Sequence, residues 1–369
     1  MRIRVVKSSL KTIATALMLA SANASWAQSS VTLYGTVDGG LLYLNKTGSE
    51  ANQRNNGSLF GFTSSGLSPS IFGLLGHEDL GGGYKANFNL VSGISIANGG
   101  FDNTNGNLFG RQAWVSISSP YGEAAFGLQY SPFEVALFES DPRSFSQFGS
   151  SIVVYADNVG TGTFVSNAIT WSSPTVAGFT ARALVALGGV AGDFRAGFQY
   201  SGSLKYQFGG LMLNAAILDE SQSDDKALNL SAFTMPVVAK TFGAAYNFSS
   251  VTVKASFTTY DAPRLLVGGA RFGGANHVYN AGLIWHALPQ LDVDAGAWYI
   301  RDPHESANHA ITSTLGTTYY LSKNTSLYAQ FGVTDNHGNE SIGLTVENGG
   351  LVGAKGTTVG LNTGIKHTF

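Results

Sequence analysis

His304 and His309, with Asp302 and Glu305 beside them, are the nearest this sequence comes to a metal-ligand cluster. Two imidazoles and two carboxylates in one polar stretch could hold a cation, but solvated loop histidines look the same, and no metal site is assigned. Asp224-Asp225 and Asp292/Asp294 could offer oxygens to calcium; a charged loop and the water-facing side of a strand explain them equally well. Gly81-Gly82-Gly83 precedes neither a helix nor a Lys-Ser/Thr pair, so it reads as a turn and not a phosphate cradle. No Ser–His spacing singles out a nucleophile and its base. The reading is therefore of a protein that is not an enzyme and needs no cofactor. One concentration of charge remains, between Ser131 and about Val165, where Glu134, Glu139, Asp141 and Asp157 surround Arg143. On its own this stretch reads as a solvated surface loop.

The elements that would position these residues are strands. From Thr357 onwards Val359, Leu361, Thr363, Ile365, His367 and Phe369 alternate with Gly360, Asn362, Gly364, Lys366 and Thr368. One face is mostly apolar and ends on an aromatic ring; the other is small, polar or cationic. A period of two is a strand period, and about ten such residues, lipid on one side and water on the other, make the unit of a transmembrane barrel. Val31 to Leu44 repeats the pattern, with Val31, Leu33, Val37, Leu41 and Tyr43 on one face and Thr32, Tyr34, Thr36 and Asp38 on the other. Short turns are expected at Asp79–Gly83, Ser119–Gly122, Ser172–Gly178, Phe208–Gly210, Phe248–Ser250, Ala287–Gln290 and Ser322–Thr325. Longer polar loops fall near 45–69, 94–107, 131–165, 188–194, 219–239, 261–276, 301–309 and 335–356. That pattern gives sixteen antiparallel strands, with both termini at the short-turn end. A β-propeller would need a repeat of about 40–50 residues with a blade signature, and none is present. Tyr130, Tyr200, Tyr246, Tyr260, Trp285, Tyr299, Tyr319, Tyr320 and Phe369 sit near strand ends, where interfacial girdles belong.

The N-terminus reads as a leader. Arg2, Arg4, Lys7 and Lys11 form a basic region, Ile13 to Ala22 an apolar one, and Ser25-Trp26-Ala27 offers a cleavage site, so residues 1–27 are expected to be a signal peptide. The domain is then 28–369, a single barrel. Its net charge is near −6, which disfavours nucleic acid as a partner. No segment after the leader carries eighteen consecutive apolar residues, so no spanning helix is expected.

At Phe72-Gly73-Leu74-Leu75-Gly76-His77-Glu78-Asp79-Leu80-Gly81-Gly82-Gly83-Tyr84-Lys85-Ala86 the chain resembles the general trimeric porins of Gram-negative outer membranes, of β-proteobacterial type. Arg111-Gln112-Ala113-Trp114-Val115, Gly127 to Phe133, Asn167 to Pro174, Tyr320 to Tyr328 and Gly364 to Phe369 continue the resemblance across the mature chain. It implies a 16-stranded transmembrane β-barrel with short periplasmic turns, long external loops and a third loop folded into a water-filled lumen. It also implies a homotrimer in the outer membrane, surrounded by lipid and lipopolysaccharide, passing small hydrophilic solutes and ions passively. Phe369 resembles the signal read by the outer-membrane barrel assembly machinery. Within this frame the third loop, Ser131 to about Val165, brings Glu134, Glu139, Asp141, Arg143 and Asp157 to the constriction. The candidate wall groups are Asp38, Lys85, Arg111 and Arg182. Family members commonly carry Arg or Lys where this chain has Ile71, Leu75, Leu128 and Thr170. With loop acids kept and wall bases thinned, weak cation preference or little selectivity is expected. A substrate-specific channel on the same barrel is the alternative, using Tyr130, Phe133, Phe138, Phe145, Phe148 and Tyr155.

Overall fold

The computed structural model describes residues 29–49, 53–103, 106–159, 163–222, 236–262, 265–267, 270–272 and 274–369. The leader, with its expected cleavage after Ala27, and Asp224-Asp225 lie outside the described residues. The first strands are β1 (Ser30–Leu44), β2 (Leu59–Thr63), β3 (Ile71–Gly81), β4 (Tyr84–Gly93), β5 (Gln112–Ser119) and β6 (Gly122–Tyr130). Two helices follow, α1 (Pro132–Ser140) and α2 (Ser151–Asn158). Then come β7 (Phe164–Ser172), β8 (Phe179–Ala186), β9 (Gln199–Phe208), β10 (Leu211–Asp219), β11 (Val238–Asn247) and β12 (Val251–Asp261). A small hairpin, β13 (Leu265–Val267) and β14 (Ala270–Phe272), stands apart from the main sheet. The last strands are β15 (Ala275–Leu288), β16 (Leu291–Arg301), β17 (His309–Tyr320), β18 (Thr325–His337) and β19 (Gly356–Thr368).

Neighbouring strands pair antiparallel all the way round. The seam is β1 on β19, from Thr36 opposite Thr368 to Leu44 opposite Gly360. Phe369 completes it by exchanging two backbone hydrogen bonds of 3.0 Å with Gly35. Both β2 and β3 pair with β1, at its two ends, so they are halves of one barrel strand. The barrel is thus a closed sheet of sixteen strands. Closure leaves no free edge, which is how a sheet satisfies its backbone within lipid. The sequence reading leaves 45–69 as loop and misses β2, because five residues amid Asn, Ser and Gly carry too little alternation.

Alternation governs the two surfaces. Leu315, Phe331, Leu361 and Ile365 are exposed on the outer face, while Thr334, Gln330 and Asn362 are buried inside. At the long-loop end the rule changes. There Leu218, Tyr260, Val278, Trp298 and Ile300 point inward, and they pack with Phe133, Leu137, Val153, Val154 and Tyr155 of the two helices as the largest apolar cluster. An apolar inner wall in contact with water is unfavourable, so the helical loop folds in and covers it. Among the described residues no helix is long and apolar enough to cross a membrane.

Candidate pore constriction

Ser131 starts the inward loop by capping α1: its Oγ accepts the Glu134 N–H at 3.1 Å, and Pro132 occupies the first turn. Asp141 ends α1 and holds the corner beyond it. Its carboxylate accepts backbone N–H groups from Arg143 (2.7 Å), Phe145 (3.0 Å) and Ser151 (2.7 Å), which ties α1 to α2. Arg143 then fixes the loop to the wall. Buried, it pairs with Asp294 on β16 and donates to Gln330 on β18 at 2.7 Å. Gln330 in turn donates to Gly66 O and Asn362 Oδ1, both at 2.9 Å. Helix α1 lies against β8 to β12, and α2 reaches β16 through Trp298 Nε1 to Ser151 Oγ at 3.0 Å.

The loop therefore covers one side of the lumen and leaves a passage on the other. A cavity of about 650 Å³ opens beside it, lined among others by Arg111, Tyr130, Glu134, Phe138, Phe164 and Glu347. Arg111 precedes β5, and its guanidinium lies 5.1 Å from the centre of the Phe164 ring, a cation–π contact. The wall beyond is polar: Asn87 donates to Ser116 and Ser118, and the Tyr34 hydroxyl to Asn89 at 2.7 Å.

The residues singled out from sequence have diverse surroundings. Glu134 is only 3% exposed and its Oε2 has no partner, so burial holds its carboxyl well above the usual range. Glu139 accepts from Lys205 Nζ at 2.9 Å and lies 3.6 Å from Arg182 Nη1. Asp157 is pushed up to about 7 by burial, and Glu347, which the sequence reading did not single out, also to about 7. Asp38 is fully buried on the inner face. It accepts backbone N–H groups from Gly66, Leu67 and Ser68 at 3.2, 3.0 and 2.7 Å and the Tyr328 hydroxyl at 2.7 Å. That anchors the inward fold between β2 and β3 and leaves Asp38 no exposed charge for the pore. Lys85 shares the inner face with Asn87 and Asn89, near the short-turn end. Arg182 points inward at Glu139. Phe369 packs over Gly35 at the seam.

Two inward bases escape the sequence reading, Lys205 on β9 and Lys254 on β12; a third, Lys366 on β19, is read there on the polar face but not counted among the wall bases. Their signal was available, since each stands between two outward residues of its strand: Leu204 and Tyr206, Val253 and Ala255, Ile365 and His367. Glu123, which accepts from Asn87, was missed as well. Of the positions where the family resemblance implies bases, Ile71, Leu75 and Thr170 face inward, whereas Leu128 sits opposite Ala113 on the outer face. The aromatic set also divides. Phe133, Phe148 and Tyr155 are buried in packed clusters, which leaves Tyr130, Phe138 and Phe145 at the passage.

The remaining polar clusters have structural partners. Asp302 accepts the backbone N–H groups of His304 and Glu305, while His309 stacks on His337 on the outer face. Asp292 is held by His286 at 2.6 Å and Tyr320 at 2.9 Å, and Asp294 by Arg143.

A family model described as Gram-negative porin matches residues 14–339. The chain is 29% identical over 371 residues to outer membrane porin protein 32 of Delftia acidovorans, covering 97% of this chain and 99% of that protein. It is 28% identical over 396 residues to an outer membrane porin of Bordetella pertussis, covering 97% and 99%. Among solved structures, an anion-selective porin from Comamonas acidovorans superposes with a TM-score of 0.76 at 26% identity, covering 93% of this chain and all of that one.

Proposed function

The chain belongs to the Gram-negative porin family and is an outer-membrane channel protein, and from that premise we propose that it passes small hydrophilic solutes by passive diffusion, with a preference for anions. The observation that carries the first part is a closed barrel with an inward loop that borders a 650 Å³ cavity in its lumen. A solute moves down its own gradient through such an opening, and the loop sets the size limit. No nucleotide, cofactor or coupling ion enters this scheme, and the relatives are channels and not enzymes.

The ion preference differs from the sequence expectation of weak cation preference or little selectivity, and the relatives do not support a cation preference. That expectation rests on the loop acids and on the thinned wall bases. Glu134 is buried and its carboxyl raised, Asp141 is enclosed by N–H donors, and Glu139 is paired with Lys205 and close to Arg182. Meanwhile Arg111, Lys85, Lys254 and Lys366 add wall bases. Bases on a channel wall attract anions. The Comamonas relative is described as anion-selective, which agrees with this reading.

The further reading has the chain exported by its leader, inserted by the barrel assembly machinery through Phe369, and assembled as a homotrimer among lipid and lipopolysaccharide. Exposed Val31, Leu33, Phe60, Phe62, Val115 and Ile117 on the outer face of β1 to β5 suit burial against lipid or a second copy. One observation favours a substrate-specific channel instead: Phe138 is 51% exposed in the lumen beside Arg111, Tyr130 and Phe164. Planar-bilayer recording in a salt gradient decides among these. Steady conductance with an anion-side reversal potential is expected. Absence of conductance would overturn the channel reading, a cation-side potential the anion preference, and conductance saturating with one solute would establish the specific channel.

A further inference from the structure

The outer face near the long-loop rim carries a pattern that neither the pore nor the barrel requires. Directly opposed residues form one continuous row across six strands: Lys240 faces Thr259, Thr259 faces His277, His277 faces Arg301, Arg301 faces His309, and His309 faces His337. At about 4.8 Å per strand the row spans roughly 24 Å. Every member lies on the outward parity of its strand, and Lys240, Arg301 and His337 are exposed.

The next row towards the barrel waist is Phe242, Phe257, Tyr279, Tyr299, Ile311 and Asp335. Its aromatic rings touch, Phe257 to Tyr279 at 4.8 Å and Tyr279 to Tyr299 at 6.3 Å. Such a girdle marks the membrane–water boundary. The basic row is one step beyond it, at the depth where headgroups lie. Within the row His309 and His337 stack at 4.5 Å with rings 10° from parallel, and His309 Nδ1 has no hydrogen-bond partner. Two imidazolium rings this close repel unless an anion lies against them.

We propose that this row is a docking surface for phosphate-bearing lipid headgroups of the outer leaflet, and that it tightens as its imidazoles become protonated. The proposal rests on the outer-membrane reading given above. Lys240 and Arg301 supply permanent charge, and His277, His309 and His337 add to it when protonated. The other groups around them are few. Asp335 accepts from His337 Nε2 at 3.0 Å and from Thr357; Asp261 ends β12 one row further out. Tyr279 and Tyr299 lie below, His304 and Glu305 belong to the adjoining loop, and Lys46 and Lys355 stand beside the start of β19. A phosphate reaching the stacked pair meets bases on both sides, with Asp335 the opposing charge one row inward.

The test uses the full chain, purified as a conducting barrel in neutral detergent, and micelles doped with diphosphorylated lipid A or with its dephosphorylated form. The wild type is expected to bind the phosphorylated probe about tenfold more tightly at pH 5.5 than at pH 8, as added surface cations should produce. Replacing His277, His309 and His337 together by Gln should abolish the pH dependence, and Arg301→Gln should weaken binding at both pH values. Equal binding of the two lipids, or a pH dependence that survives the triple change, would overturn the proposal. Single-channel conductance of each variant is recorded alongside. It should stay at the wild-type level, so failure of lipid docking and failure of the channel reading are separate results.

Discussion

The two sides of the lumen follow the same strand rule and differ only in what faces inward. Along β10 to β17 at the long-loop end the inward residues are Leu218, Tyr260, Val278, Trp298, Ile300 and Ala310, all buried beneath α1 and α2. Along β4 to β6 they are Asn87, Asn89, Gln112, Ser116 and Glu123, which bond one another and face the passage. Outward, both sides carry the apolar band. The loop is therefore placed by the inner wall: it rests where that wall is apolar and leaves bare the side that water can solvate. Polar anchors then fix its register. Burial alone would let an apolar loop slide, whereas Asp141 and Arg143 accept only one geometry.

The sharpest way to break this comparison is to remove an anchor and leave the apolar contact intact. Asp141→Ala deletes the acceptor of three backbone N–H groups. Each such charge-assisted bond contributes about 1.5–3 kcal/mol. The corner of the loop should open, single-channel conductance should rise severalfold with added noise, and the barrel should still fold. Arg143→Met leaves part-buried Asp294 without its counter-charge and removes the donors to Gln330, and should lower the melting temperature as well. Unchanged conductance in both variants would mean that apolar packing alone positions the loop.

A smaller effect is expected from the charged part of the covered side. Changing Arg182, Lys205 and Lys254 together to Gln removes three inward bases around Glu139 and should move the reversal potential towards cations. Conversely, Leu75→Arg adds a base to the bare wall opposite Thr32 and Asn89. It should raise anion preference and reduce conductance. Both are read from reversal potentials in a salt gradient. If either change leaves selectivity where it was, the charge balance of these walls does not set the filter.

Much of the fold could be read from alternation and turns, because strand period and tight-turn chemistry are local. The predicted Val31–Leu44 strand differs from β1 by one residue, and the turns at Ser119–Gly122 and Phe208–Gly210 lie where the structure has them. The break between β2 and β3 was not local: it depends on Asp38 reaching Gly66, Leu67 and Ser68 from a different strand. The candidate site was less legible for the same reason. Nothing near Glu134 in sequence says that it is buried, and nothing near Asp141 says that its oxygens are all taken. One signal was present and passed over. Leu41-Leu42-Tyr43-Leu44 is apolar on both faces, and its inward members Leu42 and Leu44 pack on Phe148 and Leu344, so the run marks where loops return into the barrel.

The finest difference between the two sides is how they respond to pH. Glu347 lines the cavity, with its carboxyl pushed up to about 7 by burial; Asp157 on α2 is pushed up to about the same value. A carboxyl raised in this way is neutral below that pH and negative above it. Anion preference should therefore be larger at pH 5.5 and fall as pH rises through about 7, by roughly twofold to fivefold for a charge a few ångströms from the ion path. Any contribution of these groups to stability has the same direction: it is complete below the ordinary carboxylate range and is lost as pH climbs towards 7. Ordinary carboxylates would have finished titrating near pH 5. His77 and His286 also face the lumen, so the wild-type profile alone does not assign the change. Glu347→Gln separates the two, because it should flatten the profile at the cavity while leaving the histidines in place. A profile unchanged in Glu347→Gln combined with Asp157→Asn would move the pH sensor from the loops to the short-turn end of the lumen.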